Sequence, residues 1–141
     1  MTPEPAREYT ITTRLLLIED NAPLAEATAK FLRHADLEVR VAESGEEALR
    51  TALTFLPEIV LCDIRLPDMS GLNVLHALRS HPDTKNAMLA IYSAMSDVDL
   101  RALQLKTPSD VVDLFLPKPL SMEKIDRLLA AHAAMRQGTS S

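Results

Sequence analysis

A recurring plan constrains this chain most: a short apolar run that stops abruptly at a residue able to do chemistry, followed by a stretch with helical spacing. Leu15 to Ile18 ends in Glu19 and Asp20, Ile59 to Cys62 ends in Asp63, and Met88 to Tyr92 ends in Ser93. Val111 to Leu116 runs into Pro117, Lys118 and Pro119. Such runs are too short for helices and too continuously apolar for half-wet strands, so they read as strands buried on both faces. The remaining strand signal differs. Leu37, Val39 and Val41 alternate with Glu38 and Arg40, the pattern of a strand wet on one side, whose charges discourage pairing at a sheet edge.

Helical segments fill the intervals. Asn21 is placed to cap a helix with Pro23 in its first turn and Ala25, Thr28, Leu32 and Ala35 at helical spacing. Ser44 and Glu47 form a capping box ahead of a stripe of Ala48, Leu49, Ala52, Leu53 and Leu56 that Pro57 ends. Leu72, Val74, Leu75 and Leu78 mark a helix to about Ser80, and Ser96 caps another over Asp97–Lys106. In the latter, Val98, Ala102 and Leu105 share one face while Leu100 and Leu103 lie on another, a split that leaves apolar groups for a partner. Ser121 opens a last helix, with Met122, Ile125, Leu128, Leu129 and His132 on its buried side.

Strands alternating with helices in this way imply an α/β fold, a (βα)5 doubly wound parallel five-stranded sheet. The flavodoxin-like order 2-1-3-4-5 puts the alternating strand at an edge and makes strands one and three neighbours. Ligands bind beyond the carboxyl ends of such strands, and there Glu19, Asp20, Asp63, Ser93 and Lys118 share one rim.

Composition narrows the function. A chain of 141 residues, 47% hydrophobic, supports one domain with an ordinary core. Its formal net charge of -5, with no local basic run, argues against a direct nucleic-acid partner. The single cysteine, Cys62, allows no internal disulfide and reads as a small core residue. No stretch is long and apolar enough to span a membrane, and the opening residues lack the plan of a signal peptide, so a cytoplasmic location is expected. Residues 1–13 read as a flexible arm, 14–136 as the domain and 137–141 as a flexible tail.

Carboxyl groups crowded together repel, and a site that keeps them ionised holds a hard cation, Mg²⁺ or Mn²⁺ in its place. Asp20 and Asp63 are the direct ligand candidates; Glu19, one carbon longer, can bind through a water, and the backbone carbonyl of Arg65 can add an oxygen. With a phosphoryl group clamped there, Asp63 can act as nucleophile and become an aspartyl phosphate, stabilised by the Lys118 ammonium and the Ser93 hydroxyl. Singly, each residue has an ordinary structural explanation: a turn lysine, a helix cap, a solvated acidic loop. Their convergence on one rim is what argues for chemistry. A metal-dependent phosphatase or phosphotransferase with an aspartyl nucleophile is the alternative, but such sites want a second acid two residues on, where Arg65 stands. Gly45, Gly71 and Gly138 build no glycine-rich phosphate loop.

The segments LLLIEDN, VLCDIRLPDMSGL, AIYSA and LFLPKPL, in this order, resemble the response-regulator receiver domain of two-component signalling over Arg14 to Met135. The resemblance implies Asp63 as phosphoacceptor, Glu19 and Asp20 as the rest of the acidic Mg²⁺ pocket, Ser93 as switch hydroxyl, Lys118 as phosphoryl-binding lysine and a cis bond before Pro119. It implies Phe115 as the aromatic that turns inward with the switch, and Arg65 and Met95 as positions that tune phosphoryl lifetime. It also implies a histidine kinase or histidine phosphotransfer protein as donor, a downstream output protein or domain reached by protein contact, possible homodimerisation, and no enzymatic activity beyond the domain's own phosphorylation and dephosphorylation. A pseudo-receiver that only docks partners is a further reading, against which the intact acidic pocket speaks. Nothing after the domain resembles a DNA-binding or membrane segment, so output by contact is expected unless the chain is cut from a longer protein. Leu120 after Lys-Pro and the stretch LKTPSDVVD depart from the family pattern and make the surface around the fourth helix unusual.

Overall fold

The computed structural model describes residues 12–139. Strands β1 (Thr13–Ile18), β2 (Leu37–Ala42), β3 (Ile59–Cys62), β4 (Met88–Ser93) and β5 (Leu114–Pro117) alternate with helices α1 (Ala22–Arg33), α2 (Gly45–Phe55), α3 (Gly71–Ser80), α4 (Asp97–Lys106) and α5 (Met122–Thr139). All strand pairs are parallel, in the order β2-β1-β3-β4-β5. This is the doubly wound, flavodoxin-like sheet expected from the strand runs.

Period-two alternation divides the buried strands between two cores. Leu16, Ile18, Val60, Cys62, Leu89 and Ile91 face α2 and α3, whereas Leu15, Leu17, Ile59, Leu61, Met88 and Tyr92 face Ala25, Ala29 and Leu32 of α1 and Ile125 and Leu128 of α5. Along β2, Leu37 and Val39 are buried while Glu38 and Arg40 are exposed, as an edge strand requires.

Register positions the rim. Ile18 lies beside Cys62, and the Asp63 amide continues that ladder by donating to the Ile18 carbonyl at 3.0 Å, so Glu19 and Asp63 leave the sheet side by side. Ser93 lies beside Pro117, and the Lys118 amide donates to the Ser93 carbonyl at 2.7 Å.

Several local expectations are corrected. In α2 the buried stripe is Ala48, Ala52 and Phe55, whereas Leu53 and Leu56 are 46% and 42% exposed. The i, i+4, i+7 row selects Phe55, and Leu56 leaves the helix in a left-handed conformation (φ 51°) that turns it outward. Ser44 Oγ accepts the Glu47 amide at 3.1 Å, but the Glu47 carboxylate reaches the Glu43 amide, one residue before the cap. β5 begins at Leu114 rather than Val111, because Val111 and Asp113 are held by Arg79. Its guanidinium donates to the Val111 carbonyl at 3.1 Å and to Asp113 Oδ2 at 2.8 Å. Met122 is 52% exposed, at the open start of α5. Helix α5 runs into the expected tail and ends at Thr139, because Ala133, Ala134, Met135, Arg136 and Gln137 are good helix formers that carry it past its expected end. Of the expected arm, Thr13 opens β1, and residues 1–11 lie outside the described residues. The split pattern of α4 is realised: Leu100 is buried, Val98 is 78% exposed and Leu105 is 82% exposed.

Candidate functional site

At the carboxyl edge of the sheet, Lys118 Nζ donates to Glu19 Oε1 at 2.6 Å and to Asp63 Oδ2 at 3.0 Å. The first carboxylate ends β1, the second ends β3, and the ammonium follows β5, so the contact exists only because the crossovers bring these three strand ends together. Glu19 is 1% exposed and also accepts the Asn21 amide at 3.2 Å, so it is no solvated loop acid. Asp63 is partly buried, and Asp20 is exposed at the rim. One carboxylate oxygen from each of Glu19, Asp20 and Asp63 lies within 4.8 Å of the others, a hard-oxygen set suited to a divalent cation.

The electrostatics are those of a compensated cluster. Burial pushes the Lys118 ammonium down, but the bonds from Glu19 and Asp63 outweigh it and hold the group above its ordinary lysine value. The ammonium also lies 4.8 Å from the Tyr92 ring centroid, a cation–π contact. Burial pushes the Tyr92 hydroxyl up, and that hydroxyl is paired with Thr28 Oγ1 at 3.1 Å. Cys62, immediately before Asp63, is fully buried, and burial followed by the charges of Asp63 and Glu19 pushes its thiol up, out of reactive range.

Ser93 is buried at the end of β4, and its hydroxyl accepts the Met95 amide at 3.2 Å. A cavity of about 340 Å³ opens over Asp63, walled by Arg65, Ser93, Met95, Asp99 and Lys118. Arg65 is exposed and Met95 half-buried. The Lys118–Pro119 peptide is cis. Phe115 is set apart from this group: it lies beside Ile91, packs half-buried on the α4 side, and lines a separate space of about 550 Å³ with Gln104 and Leu105. Sequence reasoning did not single out Tyr92, whose ring backs Lys118, or Asp99, which walls the cavity. Ser96 reads only as a helix cap, and its Oγ accepts the Asp99 amide at 3.1 Å.

The family model described as the response regulator receiver domain matches residues 15–130. This chain belongs to that family. Receiver domains are phosphorylation-activated switches of two-component signalling, and they are not enzymes in the ordinary sense. A response regulator receiver protein of Anaeromyxobacter sp. is 37% identical over 112 residues, which are 79% of this chain and 45% of that protein. The chain spans about half or less of the length of the curated relatives it matches. Among solved structures, a response regulator from Chloroflexus aurantiacus is 31% identical, with a TM-score of 0.77 over 87% of this chain and 99% of that one. Response regulator protein TrrA of Thermotoga maritima shares the fold at 24% identity and a TM-score of 0.73, over 86% of this chain and 99% of that one. Among the described residues no helix is long and apolar enough to cross a membrane.

Proposed function

We propose that this receiver takes a phosphoryl group onto Asp63 and that Glu19, Asp20 and Asp63, with the Arg65 carbonyl, hold the Mg²⁺ the transfer needs. The bridge from Lys118 to both Glu19 and Asp63 carries this reading, because it fixes a cation beside the nucleophile and compensates a carboxylate that would otherwise be buried unpaired. The donor set fits the metal: its oxygens are hard, close together and open to water on the Asp20 side. TrrA of Thermotoga maritima, which shares this fold, was solved in complex with Mg²⁺-BeF. When bound, Mg²⁺ supplies charge neutralisation for the phosphoryl oxygens.

In the transfer, an Asp63 carboxylate oxygen attacks phosphorus while the bond from phosphorus to the donor breaks, and the donor departs with that electron pair. The donor is the phosphoimidazole of a histidine kinase or phosphotransfer protein, or the acyl oxygen of acetyl phosphate. Lys118 pairs with a phosphoryl oxygen in place of its present Asp63 contact, and the Ser93 hydroxyl donates to another. Turning Ser93 toward the phosphoryl group frees the Met95 amide and biases the β4–α4 segment, with Phe115 behind it, toward the active arrangement. Hydrolysis ends the signal when water attacks phosphorus and the Asp63 carboxylate leaves, a reaction the domain catalyses on itself. Output passes by contact to a protein or to a domain of a longer chain, in the cytoplasm, with the exposed Val98 and Leu105 of α4 available to a partner or a second copy.

Intact-mass measurement after incubation with acetyl phosphate and Mg²⁺ tests the assignment. Wild type should gain one phosphoryl group and Asp63→Ala none. A wild type that stays unmodified with small-molecule and kinase donors alike would instead identify a module that only docks partners.

A further inference from the structure

The loop that follows Asp63 is bolted to α2 by one side chain. Asp68 Oδ1 accepts the Gly45 amide at 2.8 Å and Oδ2 accepts the Glu46 amide at 2.9 Å, while the third amide of that helix start goes to its own cap, Ser44, at 3.1 Å. Those two N–H groups hold the exposed Asp68 carboxyl below the usual carboxylate range. The next residue, Met69, presses on the same point: a Cβ on Gly45 would lie 2.5 Å from its Cγ.

Within itself the loop is closed tightly. The Gly71 amide donates to the Ile64 carbonyl at 2.6 Å, Arg65 and Ser70 pair as an antiparallel bridge, and a Cβ on Gly71 would lie 1.9 Å from the Asp63 carbonyl oxygen. A closed loop of this kind moves as a unit, so whatever fixes Asp68 also fixes Arg65 and the backbone of Asp63. We infer that Asp68 is a positioning residue of the metal site, clamping the Asp63–Gly71 loop to α2 so that the Arg65 carbonyl and the Asp63 carboxylate are placed for Mg²⁺. The inference rests on the reading of Arg65 and Asp63 given above. By linkage, Mg²⁺ bound on one side of the clamp strengthens the two amide bonds on the other.

Calorimetric Mg²⁺ titration, paired with the Mg²⁺ dependence of acetyl phosphate labelling, tests it in wild type, Asp68→Ala, Asp68→Asn and Ser44→Ala. Outer partners of metal ligands typically tune affinity by about tenfold or more. Asp68→Ala should weaken Mg²⁺ binding by about that factor and shift the half-maximal Mg²⁺ for labelling equally. Asp68→Asn, nearly isosteric and keeping one carbonyl acceptor, should lose less. Ser44→Ala removes a cap from the same helix start without touching the loop and should keep wild-type affinity. Amide exchange at Gly45 and Glu46 should slow on Mg²⁺ addition in wild type but not in Asp68→Ala. Unchanged Mg²⁺ affinity in Asp68→Ala, with Asp63 labelled normally, would overturn the clamp and leave the phosphoacceptor assignment standing; equal losses in Ser44→Ala and Asp68→Ala would overturn it as mere helix stability. A wild type that neither binds Mg²⁺ nor labels would overturn both.

Discussion

Lys118 Nζ sits 2.6 Å from Glu19 Oε1, joining an ammonium after β5 to a carboxylate that is 1% exposed at the end of β1. Removing one partner of a buried pair leaves an uncompensated charge, at a cost of about 3–5 kcal/mol. Because Lys118 keeps 13% exposure and Glu19 also accepts the Asn21 amide, Lys118→Met should cost about 2–3 kcal/mol in metal-free buffer, below that range. Millimolar Mg²⁺ should restore part of the loss, since it compensates the same acids. Denaturant melts with and without Mg²⁺ measure this, and equal stability of variant and wild type without metal would contradict it. The folded Lys118 value lies above the ordinary 10.5, so its contribution is complete below that pH and is lost as pH rises through the higher value.

Gly71 is required for space, not for conformation. A Cβ there would lie 1.9 Å from the Asp63 carbonyl oxygen, and backbone cannot yield as a side chain does. Gly71→Ala should therefore displace the Asp63 backbone, cost about 1–3 kcal/mol as overpacking does, and slow acetyl phosphate labelling. Gly45→Ala meets the Met69 side chain from Cγ outward, which can turn aside where backbone cannot, and should cost less than Gly71→Ala. Paired melts of the two variants decide the point, and a reversed order of damage would refute it.

The strand-end residues were legible because buried parallel strands are continuous apolar runs, so the residue that breaks each run marks the rim. Glu19, Asp63, Ser93 and Lys118 were found this way, and register supplied the rest. Asp68 was not legible, because a Pro-Asp pair in a loop reads as turn chemistry, and its partners are amides more than twenty residues earlier in the chain. Tyr92 was hidden for a similar reason: it belongs to a run that burial alone explains, and its contact with Lys118 depends on which face of β4 it occupies. β5 starts later than the apolar run from Val111 implies, because Arg79 and Asp113 hold that stretch through bonds that no periodicity encodes.

Arg65 walls the cavity over Asp63 from an exposed position, with Lys118 among the other lining residues. A long cationic side chain there can lie over a phosphoryl group and obstruct the in-line approach of water. Arg65→Ala should hasten loss of the phosphoryl group by about threefold or more, with Arg65→Lys between variant and wild type. Following the decay of phosphorylated protein by intact mass after donor removal measures this. A decay rate unchanged in Arg65→Ala would refute the shielding role.

His132 lies on the far side of the molecule, 8% exposed on α5, in a cavity of about 240 Å³ shared with Glu58 and Arg136. Burial pushes its imidazole below the ordinary 6.5, Glu58 opposes that and Arg136 adds to it. The neutral ring is therefore the form that the fold accommodates. A depressed folded value contributes stability that is complete above the unfolded value and is lost as pH falls through the folded one, so the protein should weaken as pH drops below about 6.5. His132→Leu, similar in bulk and unable to titrate, should flatten that part of the profile while leaving Mg²⁺ binding at the opposite rim unchanged. Melting temperatures of both proteins between pH 8 and pH 5 provide the measurement. Parallel declines would show that other groups carry the acid sensitivity, because only the difference between the two curves reports on His132.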